Sequence, residues 1–124
     1  MKKWVIIILC VLFLASAPVW AGSKVWTDTG AGNIAKTITF TGPALVTDVR
    51  LHLSAAGGAN NLTVTLDSAR GPVYDVVFVT QDMTSQTDCV FRYNPPLDMR
   101  TDDKIIFAWT NGSSRTYGLE VLGR

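Results

Sequence analysis

Apolar and polar side chains alternate with a period of two along most of residues 22–124, and no segment there repeats its apolar residues at helical spacing. This alternation is typical of β-strands with one buried face and one solvated face. The clearest case is residues 44–53. Side chains expected to face the core there are Leu45, Val49, Leu51 and Leu53, and those expected to face solvent are Val46, Asp48, Arg50 and His52. The pattern predicts an all-β fold.

Turn sequences rich in glycine, proline and asparagine separate these segments. Further strands are predicted over residues 25–27, 34–40, 62–67, 73–80, 88–93, 104–109 and 116–122. We therefore expect a single antiparallel β-sandwich of seven or eight strands, of jelly-roll or Greek-key type. Residues 94–103 form the one long link, which we expect to cross between the sheets. Residues 111–114 are expected to form a hairpin between the last two strands.

One predicted strand, residues 73–80, is apolar on both faces at Val76, Val77, Phe78 and Val79. A central strand covered on both sides has this pattern. An exposed edge with the same sequence is prone to aggregation, so we expect burial on both sides. The alternative is that one face of this strand meets a partner.

The first 21 residues have the features of a secretory signal peptide. Lys2 and Lys3 precede an apolar run at residues 5–14, and Ala21 provides a small residue at the cleavage point. Cleavage after Ala21 leaves residues 22–124 as the β-sandwich domain, which we expect to be secreted or periplasmic. A retained membrane anchor is the alternative, although its clean apolar core is shorter than a membrane span.

The charge and cysteine content of residues 22–124 narrow the classes of partner. Removal of the two leader lysines leaves the domain nearly neutral, so we expect neither nucleic acid nor, after cleavage, a membrane surface as a partner. Cys89 is its one cysteine, and it shares a strand side with Phe91 and Tyr93. We expect a buried thiol, with a disulfide between chains as the alternative.

The domain carries few groups for catalysis, since it has one histidine, one cysteine and one glutamate. His52 falls on the solvated side of its strand and has no serine in a glycine-flanked turn to activate. Zinc needs three or four ligands of suitable type, which this inventory does not supply. Asp67 and Asp75 flank a turn, as paired acids do in glycoside hydrolases, but both are expected to be solvated. We expect no enzyme activity, no cofactor and no metal.

Two sets of polar and aromatic residues leave ligand binding open. Asp98, Asp102 and Asp103 lie in the long link, where they are expected to cap a sheet end, with calcium as the alternative. Trp26 and Tyr74 fall outside strong strand patterns and are candidates to stack on a sugar ring. The polar ligand-binding candidates beside them are Asn60, Asn61 and Asp103. Tyr93, Trp109 and Tyr117 are in phase with core residues and are expected to be buried.

Several strand segments have a familiar pattern: residues 48–54 (DVRLHLS), 62–68 (LTVTLDS), 74–78 (YDVVF) and 115–121 (RTYGLEV). They resemble small all-β proteins of bacterial, phage and environmental origin. In addition, residues 102–106 (DDKII) resemble the acidic turn that opens a late jelly-roll strand. The resemblance implies an exported or virion-associated β-sandwich, and it carries over no catalytic or binding residue.

These observations together favour an exported, non-enzymatic module that acts through its surface in binding or assembly, with a protein partner or self-association. A carbohydrate-binding module is the alternative. Fold class decides neither, because β-sandwiches host unrelated functions.

Overall fold

A computed structural model describes residues 22–124 of the chain as eight β-strands. The strands are β1 (Lys24–Gly30), β2 (Ile34–Thr39), β3 (Ala44–Leu53), β4 (Asn61–Asp67), β5 (Val76–Asp82), β6 (Asp88–Met99), β7 (Lys104–Trp109) and β8 (Tyr117–Gly123). A single 3-10 turn, Pro72–Tyr74, precedes β5. Within residues 22–124, no helix is long and apolar enough to cross a membrane. The predicted signal peptide and its cleavage after Ala21 lie outside the described residues.

The strands form two antiparallel sheets, which confirms the predicted β-sandwich. The first sheet has the order β1-β8-β3-β6 and the second the order β2-β7-β4-β5. Among the described strands, only β4 and β5 are joined as a hairpin, and every other connection crosses from one sheet to the other. This order is the double Greek-key arrangement of a jelly roll. β1 lies against β2 on one side of the sandwich, and β5 lies against β6 on the other.

The core lies between the inner faces of the two sheets, as the alternation predicts. The side chains that were expected to face inward and are buried include Val49, Leu51, Leu53, Leu62, Val64, Ile105, Phe107, Trp109, Tyr117, Leu119 and Val121. Arg50 and His52, which alternate with them on β3, are exposed. Burial of this apolar surface is the main favourable free energy of the fold.

At the start of β3 the predicted phase is wrong. Val46 is fully buried and Leu45 only partly so, the reverse of the expected orientation. A register shift between Val46 and Asp48 interrupts the pairing of β3 with both β6 and β8. One additional residue, Thr47, therefore moves the strand from one phase to the other, and alternation read across a bulge assigns the earlier residues to the wrong face.

The predicted hairpin at residues 111–114 is also wrong, because β7 and β8 belong to different sheets. Asn111, which is buried, determines the course of the chain here. Its amide nitrogen Nδ2 donates to the carbonyls of Gly32 (3.1 Å) and Arg115 (2.7 Å), and its oxygen Oδ1 accepts from the Arg115 amide (2.9 Å). The Asn111 amide donates to Asn33 Oδ1 (2.9 Å). One side chain thus ties together two connections that cross between the sheets.

The long link predicted at residues 94–103 is shorter than expected. β6 continues to Met99 and includes the cis peptide bond between Asn94 and Pro95. Only residues 100–103 cross to the second sheet. The link therefore crosses between the sheets as predicted, but it does so with fewer residues. Proline is tolerated here because β6 is an edge strand, where an absent N–H leaves no neighbouring strand without a donor.

The bulge in β3 can be tested by comparing two neighbouring truncations. Val46→Ala should lower the free energy of unfolding by about 2 kcal/mol, because it leaves a cavity in a filled core. Leu45→Ala should cost about 1 kcal/mol or less, because Leu45 is already partly exposed. Urea denaturation of both variants measures the difference. A larger loss for Leu45→Ala would contradict the bulge and restore the simple alternation.

Candidate interaction surfaces

β5 is the last strand of the second sheet, and one side of its backbone has no neighbouring strand among the described residues. This corrects the expectation that the apolar strand is covered on both faces. We call residues 73–82, the strand with the turn before it, the β5 edge. A sheet edge presents free N–H and C=O groups that can pair with another extended chain.

The β5 edge carries apolar side chains that are open to solvent. Val73 is 86% exposed, Val76 51% and Val77 57%. A bulge interrupts the pairing of β4 with β5, so that Val77 pairs with Thr65 while Val79 pairs with Val64. The unpaired residue between them, Phe78, packs against the core. Exposed valines next to one another on a free edge are the features of an interaction surface.

An apolar groove runs beside this edge, where the two sheets separate. It has a volume of about 230 Å³ and is lined by Leu66, Val76, Phe78, Leu97, Asp98 and Met99. We call it the β5–β6 groove. The ring of Phe78 meets that of Tyr93 edge to face, with 5.6 Å between the ring centroids. The Tyr93 hydroxyl is buried and has no hydrogen-bond partner among the described residues, and burial raises the pKa of Tyr93 to about 12.

The other three edge strands carry residues that oppose strand addition. β1 has Lys24 and Asp28, and β2 has Lys36, whose Nζ lies 3.6 Å from Asp28 Oδ1. β6 contains Pro95 and Pro96. Charges and prolines at these positions disfavour pairing with another chain. β5, in contrast, has neither a charged residue nor a proline from Val76 to Gln81.

Charged groups occur only at the two ends of the β5 edge. At one end, the Arg70 guanidinium lies over the Tyr74 ring, 4.2 Å from its centroid. Asp75 Oδ1 accepts from the Ser68 amide (2.8 Å), so this carboxylate is bound within its own hairpin. At the other end, hydrogen bonds from the Thr84 amide and hydroxyl lower the pKa of Asp82. Asp82 is therefore an anion at neutral pH.

A second groove lies on the opposite side of the sandwich, beside Trp26. Its volume is about 280 Å³, and it is lined by Lys24, Val25, Trp26, Thr39, Phe40, Thr41 and Gly42. The half-buried Trp26 ring packs edge to face on Phe40, with 5.1 Å between centroids. The groove therefore combines an indole with hydroxyls and an ammonium group. We call it the Trp26 groove.

The five predicted ligand-binding residues do not form one site. Trp26 lies on β1, and Tyr74 precedes β5 on the opposite side of the sandwich. Asn60 and Asn61 lie at the start of β4, where Asn61 pairs with Asp82. Asp103 and Tyr74 are near the other end of that strand, roughly 20 Å away at the rise of an extended chain. The five residues therefore do not line a single ligand site.

Asp103 is buried, and its side chain joins the link between β6 and β7 to the turn that follows β4. Its Oδ1 accepts from the Ala69 amide (2.9 Å) and the Ser68 hydroxyl (3.4 Å), and its Oδ2 accepts from the Arg100 amide (2.9 Å). Burial by itself raises the pKa of Asp103, but these hydrogen bonds and the charge of Arg100 outweigh it, so the net pKa is lowered. The carboxylate therefore accepts hydrogen bonds from backbone amides at the end of the sheet. This is the capping role that was predicted for Asp103.

Asp103→Asn should destabilise the domain by about 1–3 kcal/mol at neutral pH, because one amide N–H would then face another donor. A lowered pKa in the folded state stabilises the protein above the ordinary carboxyl pKa, and this stabilisation is lost as the pH falls through the folded value. The difference from wild type should therefore be smaller in acid, below the ordinary carboxyl pKa, than at neutral pH. Urea denaturation at both pH values tests this. The control is Asp102→Asn, at an exposed neighbouring position. Its φ of 67° is one that asparagine tolerates. An equal loss of unfolding free energy in both variants would contradict the role assigned to Asp103.

The other candidate catalytic and metal-binding residues have local partners. Asp67 Oδ2 accepts from Lys104 Nζ (3.3 Å), whereas its presumed counterpart Asp75 bonds the Ser68 amide. His52 Nδ1 lies 2.6 Å from Asp88 Oδ1, with both side chains exposed. In the part of the chain that the structure describes, no three histidine, cysteine or acidic side chains are grouped to hold a metal ion.

Cys89 is buried and unpaired in residues 22–124, as the strand phase predicts. Its Sγ lies 3.9 Å from Met83 Sδ. Burial raises the pKa of the thiol, and the negative charge of Asp88 raises it further. Since the thiolate is the reactive form, this environment makes Cys89 a packing residue.

Comparison with known proteins finds no matching family model and no curated protein of similar sequence. The surfaces described above are therefore the basis for assigning a function.

Proposed function

We propose that this chain is an exported, non-enzymatic β-sandwich module that acts through its surface in binding or assembly. In this proposal residues 1–21 are the signal peptide, and the domain works outside the cytoplasm, in the periplasm, on a cell surface or in a virion. The observation that carries the proposal is the β5 edge, which has free backbone groups, exposed valines, and neither a charged residue nor a proline from Val76 to Gln81.

An unprotected apolar edge strand promotes aggregation. Natural sheets usually prevent this with a lysine, a proline or a covering segment. Three edges of this sandwich have such residues. A chain that protects three edges and leaves the fourth apolar is well suited to β-augmentation, in which an added strand gains main-chain hydrogen bonds and specificity comes from alternate side chains.

The polar groups of the domain also support a non-enzymatic role. Its one histidine is exposed and contacts Asp88, its one cysteine is buried, and Asp67 and Asp103 take part in structural hydrogen bonds. Catalysis requires a nucleophile, a base and an orienting group that converge in a cleft. The β5–β6 groove and the Trp26 groove, which are lined partly by apolar and aromatic side chains, are instead suited to binding.

Strand addition at β5 can be tested with a labelled probe peptide. The probe is an octapeptide of alternating valine and threonine that carries fluorescein, and its anisotropy is followed as residues 22–124 are titrated. We expect saturable binding that Val77→Lys weakens about tenfold or more, because the lysine places a charge on the pairing surface. Val25→Lys is the matched control, since Val25 is 53% exposed but lies on β1, across the sandwich. Absence of binding, or equal binding by both variants, would contradict this function.

The Trp26 groove favours a second candidate function, carbohydrate binding, because an indole beside hydroxyls and a lysine is suited to stack on a pyranose and bond its hydroxyls. This function predicts that soluble glucans or xylans retard the domain in native affinity gels. Trp26→Ala should abolish the retardation, whereas Tyr74→Ala, on the opposite side, should leave it unchanged. Mobility that no polysaccharide alters would remove this candidate.

A further inference from the structure

We infer that the β5 edge pairs with the β5 edge of a second copy of this chain, antiparallel and about a two-fold axis. The second sheets of the two copies would then join into one continuous sheet of eight strands. The inference rests on the proposed function, in which this edge is the binding surface. It adds that the partner is a second copy of the same chain. In a two-fold interface the same surface of each copy meets itself, so the β5 edge must be complementary to its own copy in shape and charge.

The middle of the edge is compatible with itself. From Val76 to Gln81 it has no charged side chain, so two such segments meet without like-charge repulsion. Val76 and Val77 are each more than half exposed, and pairing would cover part of both side chains in each copy. Cross-strand pairs of β-branched residues also favour this arrangement.

The ends of the edge carry opposite charges. Arg70 lies over Tyr74 at one end, and the anionic Asp82 lies at the other. Antiparallel pairing of two copies brings the Arg70 end of each toward the Asp82 end of the other, so the same attraction occurs twice. Asp75 also lies at the Arg70 end, where its carboxylate is held by the Ser68 amide of its own chain, so a favourable register keeps it away from the second copy's Asp82.

The charges also select a register. A two-fold axis between Phe78 and Val79 would place Asp75 opposite the second copy's Asp82, which repels. An axis at Val77 instead pairs the two Val77 side chains within the extended residues 76–78, and it brings Asp82 near the second copy's 3-10 turn, Pro72–Tyr74, beside Arg70. In that register Val76 lies beside the second copy's Phe78, at the mouth of the β5–β6 groove. The bulge leaves Phe78 unpaired and packed against Tyr93, where its ring lines the groove. The second copy's Val76 would therefore meet an apolar surface.

The test is the mass of residues 22–124 in solution, measured by light scattering and by sedimentation over a range of protein concentrations. These residues contain all eight strands and the core. We expect a reversible dimer, unaffected by reductant because Cys89 is buried. Val77→Lys should raise the dimer dissociation constant about tenfold or more, and Val25→Lys should leave it unchanged. A wild-type monomer at every concentration, or a dimer that persists equally in Val77→Lys, would overturn the inference.

Charge reversal tests the antiparallel orientation separately. Arg70→Glu and Asp82→Lys should each weaken the dimer, because each places like charges together at both ends. The double variant exchanges the signs and should recover most of the wild-type affinity. Circular dichroism melting shows whether each variant folds. Losses in the two single variants that simply add in the double variant would overturn the antiparallel pairing.

The labelled octapeptide separates failure of this inference from failure of the proposed function. A monomer that binds the peptide at the β5 edge overturns self-pairing and leaves the edge as a site for another extended chain. A monomer that binds no peptide overturns both. A dimer that excess unlabelled peptide dissociates supports both, because the two partners compete for one edge.

Discussion

Two buried polar side chains, Asp103 and Asn111, hold the ends of this sandwich together. Nearly every connection crosses from one sheet to the other, and each crossing takes backbone amides and carbonyls out of a strand ladder. Buried groups of this kind must find partners. Asp103 supplies acceptors before β7, and Asn111 supplies donors and an acceptor after it. These hydrogen bonds therefore stabilise the crossings that bring the two sheets together around the apolar core.

The jelly-roll order creates four edge strands, and their sequences differ in a way that the core does not require. Lysines and an aspartate on β1 and β2 and prolines on β6 serve solubility. The uncharged middle of β5 breaks this pattern, although Val76 and Val77 contribute little to the core. Residues that break a general rule without a structural gain are expected at functional positions. The exposed, uncharged middle of β5 therefore supports the proposal that this strand is a binding edge.

The predicted ligand-binding residues show how far composition can mislead about a site. Trp26 does line a groove, whereas Asp103, with the polar character of a ligand-binding residue, is committed to three hydrogen bonds of its own chain. Asn60 and Asn61 lie near the Asp82 end of the β4–β5 hairpin. A list of polar and aromatic residues contains no distances, so it cannot distinguish a ligand site from a turn.

The sequence by itself determined the fold class, the inward phase of most strands and the burial of Cys89, because side chains in a strand alternate whatever the sheet order. It did not determine the phase before the bulge at Thr47, since one inserted residue exchanges the two faces of a strand without a clear local signal. Nor did it determine the order of the strands. Turn residues at 111–114 are equally suited to a hairpin and to a crossing, and only long-range pairing decided between them. The same pairing placed β5 at an edge. An apolar run is identical in a central strand and an exposed one, so the tertiary structure alone showed that Val76 and Val77 face solvent.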